Sequence, residues 1–356
     1  MQVGLIGLPQ AGKRTILRLL TGVDAAAAAP GPGGTIPGIC PVRDPRFDKL
    51  VAMYRPKKSV PATIQYVLLP DLTKDAAGNR DLLKAVGVVD VLAHVARAFP
   101  DDTVFHVDGT VDPLRDVDTV QAELLLHDLL FVETRLERLA KDRAKRGAAD
   151  QSSEPLLKRM QEHLNANRPL RTFPLEPKEQ TMLSGATLLT RKPMLIVLNM
   201  GEADARDRRL AEEIATRYPD AALHAVSVSA KIEEELSQLD DPAERAAFLQ
   251  DLGIEESAID RFTRVSYEAL GYLSYFTVGE DEVRAWTVRR GALAPEAGGA
   301  IHSDIERGFI RAELIAYADL MAYGSEQAVA QAGKGQLKGK DYVVQDGDIL
   351  NFRFSV

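Results

Sequence analysis

The stretch GLPQAGKRT, residues 7–15, decides how this chain folds. It follows the pattern G-x-x-x-x-G-K-[ST]: glycines let backbone N–H groups cradle phosphates, a lysine reaches the terminal ones, and a hydroxyl holds Mg²⁺. Gly7, Gly12 and Lys13 fit, but the hydroxyl position is Arg14, with Thr15 behind it. The pattern means something only between a strand and a helix. VGLIGL before it is a short apolar run suited to a strand buried on both faces. KRTILRLLTG after it carries Ile16, Leu17 and Leu20 at helical spacing and closes on Gly22, a fitting residue just past a helix end. Strand, glycine-rich turn and helix in this order predict a P-loop α/β domain with a mostly parallel sheet, rather than a chance Gly-Lys turn.

Working outward, 356 residues suggest two or three domains and enough bulk for a proper core. A formal net charge of −8 argues against sequence-blind binding to nucleic acid, DNA included, while leaving room for a local basic face. One cysteine, Cys40, excludes an intrachain disulfide framework and a multi-cysteine metal site. No segment reads as a signal peptide or a membrane span, so the expected compartment is the cytoplasm.

The loop AAAAAPGPGG follows the first helix, then Thr35; RFDKLVAMY reads as helix and ATIQYVLL as strand. VVDVLAHVARAF begins as another buried strand, and His94 within it is preferred as a packed core histidine. From about Asp118 the period changes: Leu125, Leu129, Val132, Leu136 and Leu139 recur at alternating spacings of four and three, the seam of a helix packed on a helix. After the polar stretch RAKRGAADQSSE, LLKRMQEHL resumes it with Leu156, Met160 and Leu164, predicting an antiparallel helical hairpin with a charged tip. Lys141, Arg143, Lys145 and Arg146 near that tip lack interleaved aromatics and read as solvated helix ends in preference to an RNA contact.

Two later strands bring chemistry to the same edge of the sheet. KPMLIVLNMGEAD ends in Asn199, Met200 and Glu202; ALHAVSVSAK ends in Ser229, Ala230 and Lys231. Ligands of such folds sit outside the carboxyl ends of the strands. The Asn199 amide can pair with the N6/N7 edge of adenine or donate to N7 of guanine. Guanine reading normally uses an aspartate three residues after the asparagine, and Glu202 is one methylene too long for it. From Tyr272 onward, FTVGEDEVRAWTVRRGA and KDYVVQDGDILNFRFSV alternate apolar and polar residues around turns such as Asp346-Gly347, predicting a small, mostly antiparallel sheet with one or two helices.

Together these stretches resemble the YchF/Obg-like ATPases, a branch of the translation-factor P-loop GTPases. The resemblance covers nearly the whole chain and rests on GLPQAGK, TIPG, DPRFDKL, FHVDGTVDP, NMGE, EVRAWT, AGGAIHSDIERGFIRAE and GKDYVVQDGDILNFRF, in that order. It implies a G domain (1–118 and 193–271), an inserted coiled-coil arm (119–192) and a C-terminal TGS domain of ubiquitin-like β-grasp, α+β fold (272–356). It implies nucleotide contacts from Gln10, Ala11, Gly12, Lys13, Arg14 and Thr15, an ATP-type base motif at Asn199, Met200 and Glu202, and a second base loop at Ser229, Ala230 and Lys231. Thr35 matches the switch threonine that closes on Mg²⁺ and the γ-phosphate. His106 matches a histidine proposed to help hydrolysis, and a plain surface-loop role is held equal to that one. ATP or ADP is the implied ligand, with GTP behind it. The ribosome or another translation component is the implied partner, with RNA contact through the arm and TGS domain, and a monomer suffices.

The departures bear on turnover. Where the family has G-L-P-N-V-G-K-S-T, this chain has Gln10, Ala11 and Arg14. The family's D-x-x-G, whose aspartate holds Mg²⁺ through water and whose glycine N–H meets the γ-phosphate, falls on Leu68-Leu69-Pro70-Asp71. Both protein anchors of the metal are missing, which makes magnesium doubtful, and Asp71 puts negative charge where the γ-phosphate would lie. Phosphoryl transfer relies on Mg²⁺ to neutralise developing charge. The first expectation is therefore nucleotide binding with weak or no hydrolysis, in a regulatory or ribosome-associated module. The alternatives are an ATPase in which Asp71 or Asp75 replaces the lost carboxylate, and a scaffold with an empty site. Whether Arg14 replaces the metal or blocks the pocket stays open.

Overall fold

A computed structural model of the chain describes residues 1–73, 79–146, 153–220 and 222–355. The strands are β1 (Gln2–Ile6), β2 (Ile36–Pro41), β3 (Lys58–Val60), β4 (Thr63–Leu68), β5 (Val91–Ala98), β6 (Met194–Met200), β7 (Leu223–Val228), β8 (Tyr272–Thr277), β9 (Glu282–Arg289), β10 (Phe309–Ala316), β11 (Gln336–Lys338) and β12 (Asp348–Phe354). They form two six-stranded sheets, one in each of two compact units: Met1–Ile39 with Gln65–Phe262, and Cys40–Ile64 with Thr263–Val356.

The first sheet runs β2-β4-β1-β5-β6-β7, with β4, β1, β5, β6 and β7 paired parallel. Its central strands are apolar runs because both faces are covered; every residue of β6 is buried. The chain leaves β1 for β4 on one side and β5 on the other, so the carboxyl ends of β1, β5 and β6 open at the point where strand order reverses. The helix α1 (Lys13–Thr21) follows β1 directly, buries Ile16, Leu17 and Leu20, and ends on Gly22 at φ 72°, whose N–H returns to the Arg18 carbonyl.

Further along the chain come α2 (Pro45–Tyr54), which groups with the other unit, and, in this unit, α3 (Arg80–Val88), α4 (Pro113–Arg146) and α5 (Glu154–Asn165). The leucine seam read from the sequence is the one that packs: Val132, Leu156, Met160 and Leu164 are buried together, with Leu125, Leu129, Leu136 and Leu139 partly buried against them. Each fully buried leucine contributes about 1.5–3 kcal/mol through removal of apolar surface from water. A carboxylate fixes the base of the arm. Asp128 on α4 is fully buried and accepts from Leu189 N (2.9 Å), Thr190 N (2.8 Å) and Thr190 Oγ1 (2.7 Å), holding the short turn Leu189–Arg191 that leads into β6. The tip GAADQS, residues 147–152, and the side chains of Arg143, Lys145 and Arg146 lie outside the described residues.

The second sheet runs β11-β10-β12-β8-β9-β3. Its pairs β10/β11, β10/β12 and β8/β9 are antiparallel, and β12/β8 and β3/β9 are parallel. Tyr275, Ala294, Ala297, Phe309, Ala312, Leu350 and Phe352 fill its core. One placement differs from the sequence reading: residues 40–64, put in the G domain by the boundary 1–118, group with the C-terminal sheet. The cause is β3, three residues that pair Lys58–Val60 with Glu282–Arg284. The helix α2 belongs there too, with Arg46 bonded to Asp44 and Asp346. No described helix is long and apolar enough to cross a membrane.

Candidate functional site

Beyond β1 the backbone enters a conformation that only glycine accepts at two points. Gly7 has φ 150°, and a Cβ there would lie 2.4 Å from the Val95 carbonyl oxygen. Gly12 has φ 93°, and a Cβ there would lie 2.2 Å from Asn199 Nδ2. Both contacts are far inside van der Waals distance, so the loop is drawn tightly against β5 and β6. Gln10 at φ 64° completes the turn. Gly12 opens α1 with no side chain capping it and no acidic residue in its first turn, which leaves the helix N–H groups and the positive end of the helix dipole for an anion.

Lys13 points into this cradle and is almost entirely buried. Its ammonium donates to the carbonyls of Gly7 (2.7 Å) and Leu8 (2.6 Å) and pairs with Asp71 Oδ1 at 2.6 Å. Burial holds the Lys13 pKa below the usual lysine value, against the opposing pull of the Asp71 carboxylate. Behind the loop, His94 on β5 is completely buried and neither ring nitrogen has a hydrogen-bond partner. Burial first, and Lys13 second, push its pKa down to about 3. It is the packed core histidine expected from the sequence.

On the base side, Asn199 ends β6 and is buried. Its Nδ2 donates to the Ala11 carbonyl (3.1 Å) and its Oδ1 accepts from Ala230 N (3.2 Å), tying the phosphate loop to the start of the helix Ala230–Ser237. One amide hydrogen and one lone pair remain for a base. Ser229 is buried with its hydroxyl unpartnered, an orphan of the kind a ligand satisfies. Met200 and Ala230 are buried, and the exposed Lys231 donates to Glu202 Oε2 at 2.7 Å. Glycines that leave no room for a Cβ, a helix N-terminus, a buried lysine and an orphan hydroxyl together fit a nucleotide's phosphates and base.

Among the described residues the metal side has no comparable set. Arg14 is exposed, and Thr15 is half-buried on the next position of α1. Leu68 is buried and offers no donor. The Thr35 hydroxyl donates to Pro32 O at 3.0 Å, within its own turn. Asp71 faces Lys13, and Asp75 lies outside the described residues. These donors do not fit a magnesium ion.

His106 belongs to another cluster. Its Nδ1 accepts from Asp108 N (3.1 Å), so Nε2 carries the proton toward Asp116 Oδ2 at 3.0 Å. Arg115 lies beside both carboxylates, 3.2 Å from Asp116 Oδ1 and 3.8 Å from Asp108 Oδ2. His106, Asp108 and Asp116 are close enough to share a metal ion, yet both ring nitrogens are engaged and the guanidinium balances the charge. The structure thus brings together Ala11, Gly12, Lys13, Asn199 and Ala230, joins Glu202 to Lys231, and binds His106 into its own loop. Sequence reasoning missed the contact from Asp71 to Lys13 and the buried Asn79 that bonds to Thr73. Charge opposite a phosphate lysine was the available signal for the first.

A family model described as YchF-GTPase_C, protein of unknown function (DUF933), matches residues 272–355. The chain is 41% identical over 367 residues to a Bacillus subtilis protein named ribosome-binding ATPase YchF, covering 100% of both. It is 34% identical to human Obg-like ATPase 1, covering 100% of this chain and 92% of that one. The structure of the Schizosaccharomyces pombe YchF GTPase matches 99% of this chain and 97% of its own, with a TM-score of 0.85 and 31% identity. Fold, site and full-length likeness agree: the chain belongs to the YchF/Obg-like ATPase family.

Proposed function

We propose that the chain is a purine-nucleotide-binding P-loop protein, preferring adenine nucleotides to guanine, that acts as a ribosome-associated regulatory module with weak or no hydrolysis. The observation that carries it is the contrast at one site. Gly7, Gly12, Lys13 and Asn199 build the phosphate and base cradle, while Arg14 and Leu68 stand where Mg²⁺ would need a hydroxyl and a carboxylate. Binding needs the first set, and efficient phosphoryl transfer needs the second as well. Asn199 can serve either purine, and Glu202, longer than aspartate and paired with Lys231, weighs against guanine. In this reading Gln10 to Thr15, Asn199, Met200, Glu202 and Ser229 to Lys231 line the nucleotide, Thr35 closes over it without a metal to hold, and His106 shapes the loop Phe99–Asp112.

The relatives named ribosome-binding ATPase support the ribosome as partner, and a ribosome-associated role places the chain in the cytoplasm. We assign the contact to the arm, 119–192, and the C-terminal domain, 272–356, of a monomeric protein.

Calorimetric titration of nucleotide-stripped protein with ATP, ADP and GTP, each with Mg²⁺ or with EDTA, tests the reading. Micromolar adenine-nucleotide binding that EDTA leaves unchanged, and that Lys13→Ala weakens, is the expected result. Mg²⁺-dependent phosphate release lost in Lys13→Ala would overturn the hydrolysis part. Absence of heat with every nucleotide would leave a scaffold whose arm and C-terminal domain act alone.

A further inference from the structure

We infer that Asp71 is a built-in substitute for a nucleotide's terminal phosphate, so that the site selects a nucleoside diphosphate over the triphosphate. The inference rests on the nucleotide-binding reading above and specifies which nucleotide. A lysine ammonium has three N–H donors. All three of Lys13 are taken: the Gly7 carbonyl at 2.7 Å, the Leu8 carbonyl at 2.6 Å and Asp71 Oδ1 at 2.6 Å. Only 4% of the Lys13 side chain is accessible, so no donor is left facing solvent. A γ-phosphate that needs this lysine has to displace the carboxylate or lie against it, and adjacent anions repel. The inner phosphates depend less on the lysine, because the loop backbone and the N-terminus of α1 serve them as well.

Asp71 is held in place on both sides. Leu69 N donates to Leu5 O at 3.0 Å, extending the pairing of β4 with β1, and Leu72 N reaches Gly7 O at 3.4 Å. Pro70 fixes the backbone immediately before it. Beyond it, the buried Asn79 accepts from Thr73 N (3.0 Å) and donates to Thr73 O (3.0 Å). The carboxylate itself is 47% exposed, so its charge can be removed without opening the core.

The test compares wild type, Asp71→Asn, which keeps the shape and removes the charge, and Asp71→Ala, by calorimetric titration of ADP and ATP in EDTA. Thermal midpoints of the three proteins check folding. Wild type is expected to bind ADP at least about tenfold more tightly than ATP, and the ratio to fall to about one in either variant. Equal affinities in wild type, or a ratio unchanged in both variants, would overturn the selectivity while leaving nucleotide binding intact. Binding of ATP by the variants alone would do the same, since Asp71 would then block every nucleotide. No binding by any of the three proteins would overturn the nucleotide reading itself.

Discussion

On one side of the candidate site, Gly7, Gly12, Asn199 and Ala230 are held together by close backbone approach and the Asn199 amide; on the other, Asp71 reaches Lys13 through a side-chain ion pair, while Arg14 is exposed, Thr35 bonds within its own turn and Leu68 is buried. The two sides respond to change differently. Altering the first forces a Cβ into a carbonyl or an amide, or breaks a bridge between two loops. Altering positions 14 and 68 exchanges one side chain for another and leaves the path of the chain intact. A site of this kind can exchange its metal-side residues and still keep the shape of its cradle, which is the state we propose for this chain.

The largest effect expected on the locked side is that of Gly12→Ala. The new methyl meets Asn199 Nδ2 at 2.2 Å on a backbone held at φ 93°. The cost is about 3 kcal/mol or more, with loss of nucleotide binding, read from denaturant midpoints and titration. A well-folded variant that still binds would break the comparison.

Asn199→Ala comes next and sharpens it. The Ala11 carbonyl and the Ala230 N–H both lose a buried partner, for about 2 kcal/mol. The clash with Gly12→Ala disappears at the same time, so the double variant should be more stable than the sum of the singles implies by about 1 kcal/mol. Strict additivity in that cycle would show that the two residues do not meet.

Much of this was legible in the sequence because it lies in local order. GLPQAGK between an apolar run and a helical pattern gave the cradle, and Asn199 and Ser229 follow apolar strands in the expected way. The alternating leucines from Leu125 to Leu139 foretold the α4–α5 seam. What stayed hidden depends on distant pairing. The strand β3 is three residues long, two of them exposed, and has no periodicity of its own; only Glu282–Arg284, more than two hundred residues away in the chain, makes it a strand. Asp116, in the first turn of α4, is buried and receives His106 from the preceding loop, a pairing that no local pattern announces. Asn79 carried no signal at all, since its partners Thr73 and Glu123 are joined to it by folding alone.

A smaller effect tests the wall behind the cradle. His94 has a pKa of about 3 in the folded chain against 6.5 in an unfolded one. The folded state therefore binds fewer protons between these values: the stability is fully present above the unfolded value and is lost as pH falls through 6.5 toward 3. Between pH 7 and about 5.5 the loss attributable to this residue is about 1 kcal/mol. His94→Leu should flatten that part of the stability profile in urea titrations at successive pH values. An unchanged slope would mean that the ring is solvated or partnered in solution.

The smallest effect belongs to Arg14→Ser, which restores the hydroxyl that the P-loop pattern asks for. Arg14 is exposed, so its replacement should move stability by no more than about 0.5 kcal/mol. Nor should it make nucleotide binding depend on Mg²⁺. Serine supplies one ligand, while Leu68 still offers none and Asp71 still occupies Lys13. Titrating the variant with ADP in Mg²⁺ and in EDTA reads this directly, and equal affinities are the expected outcome. If the single change brought Mg²⁺ dependence, the hydroxyl alone would be setting the metal, and the missing carboxylate at Leu68 would no longer separate the two sides of the site.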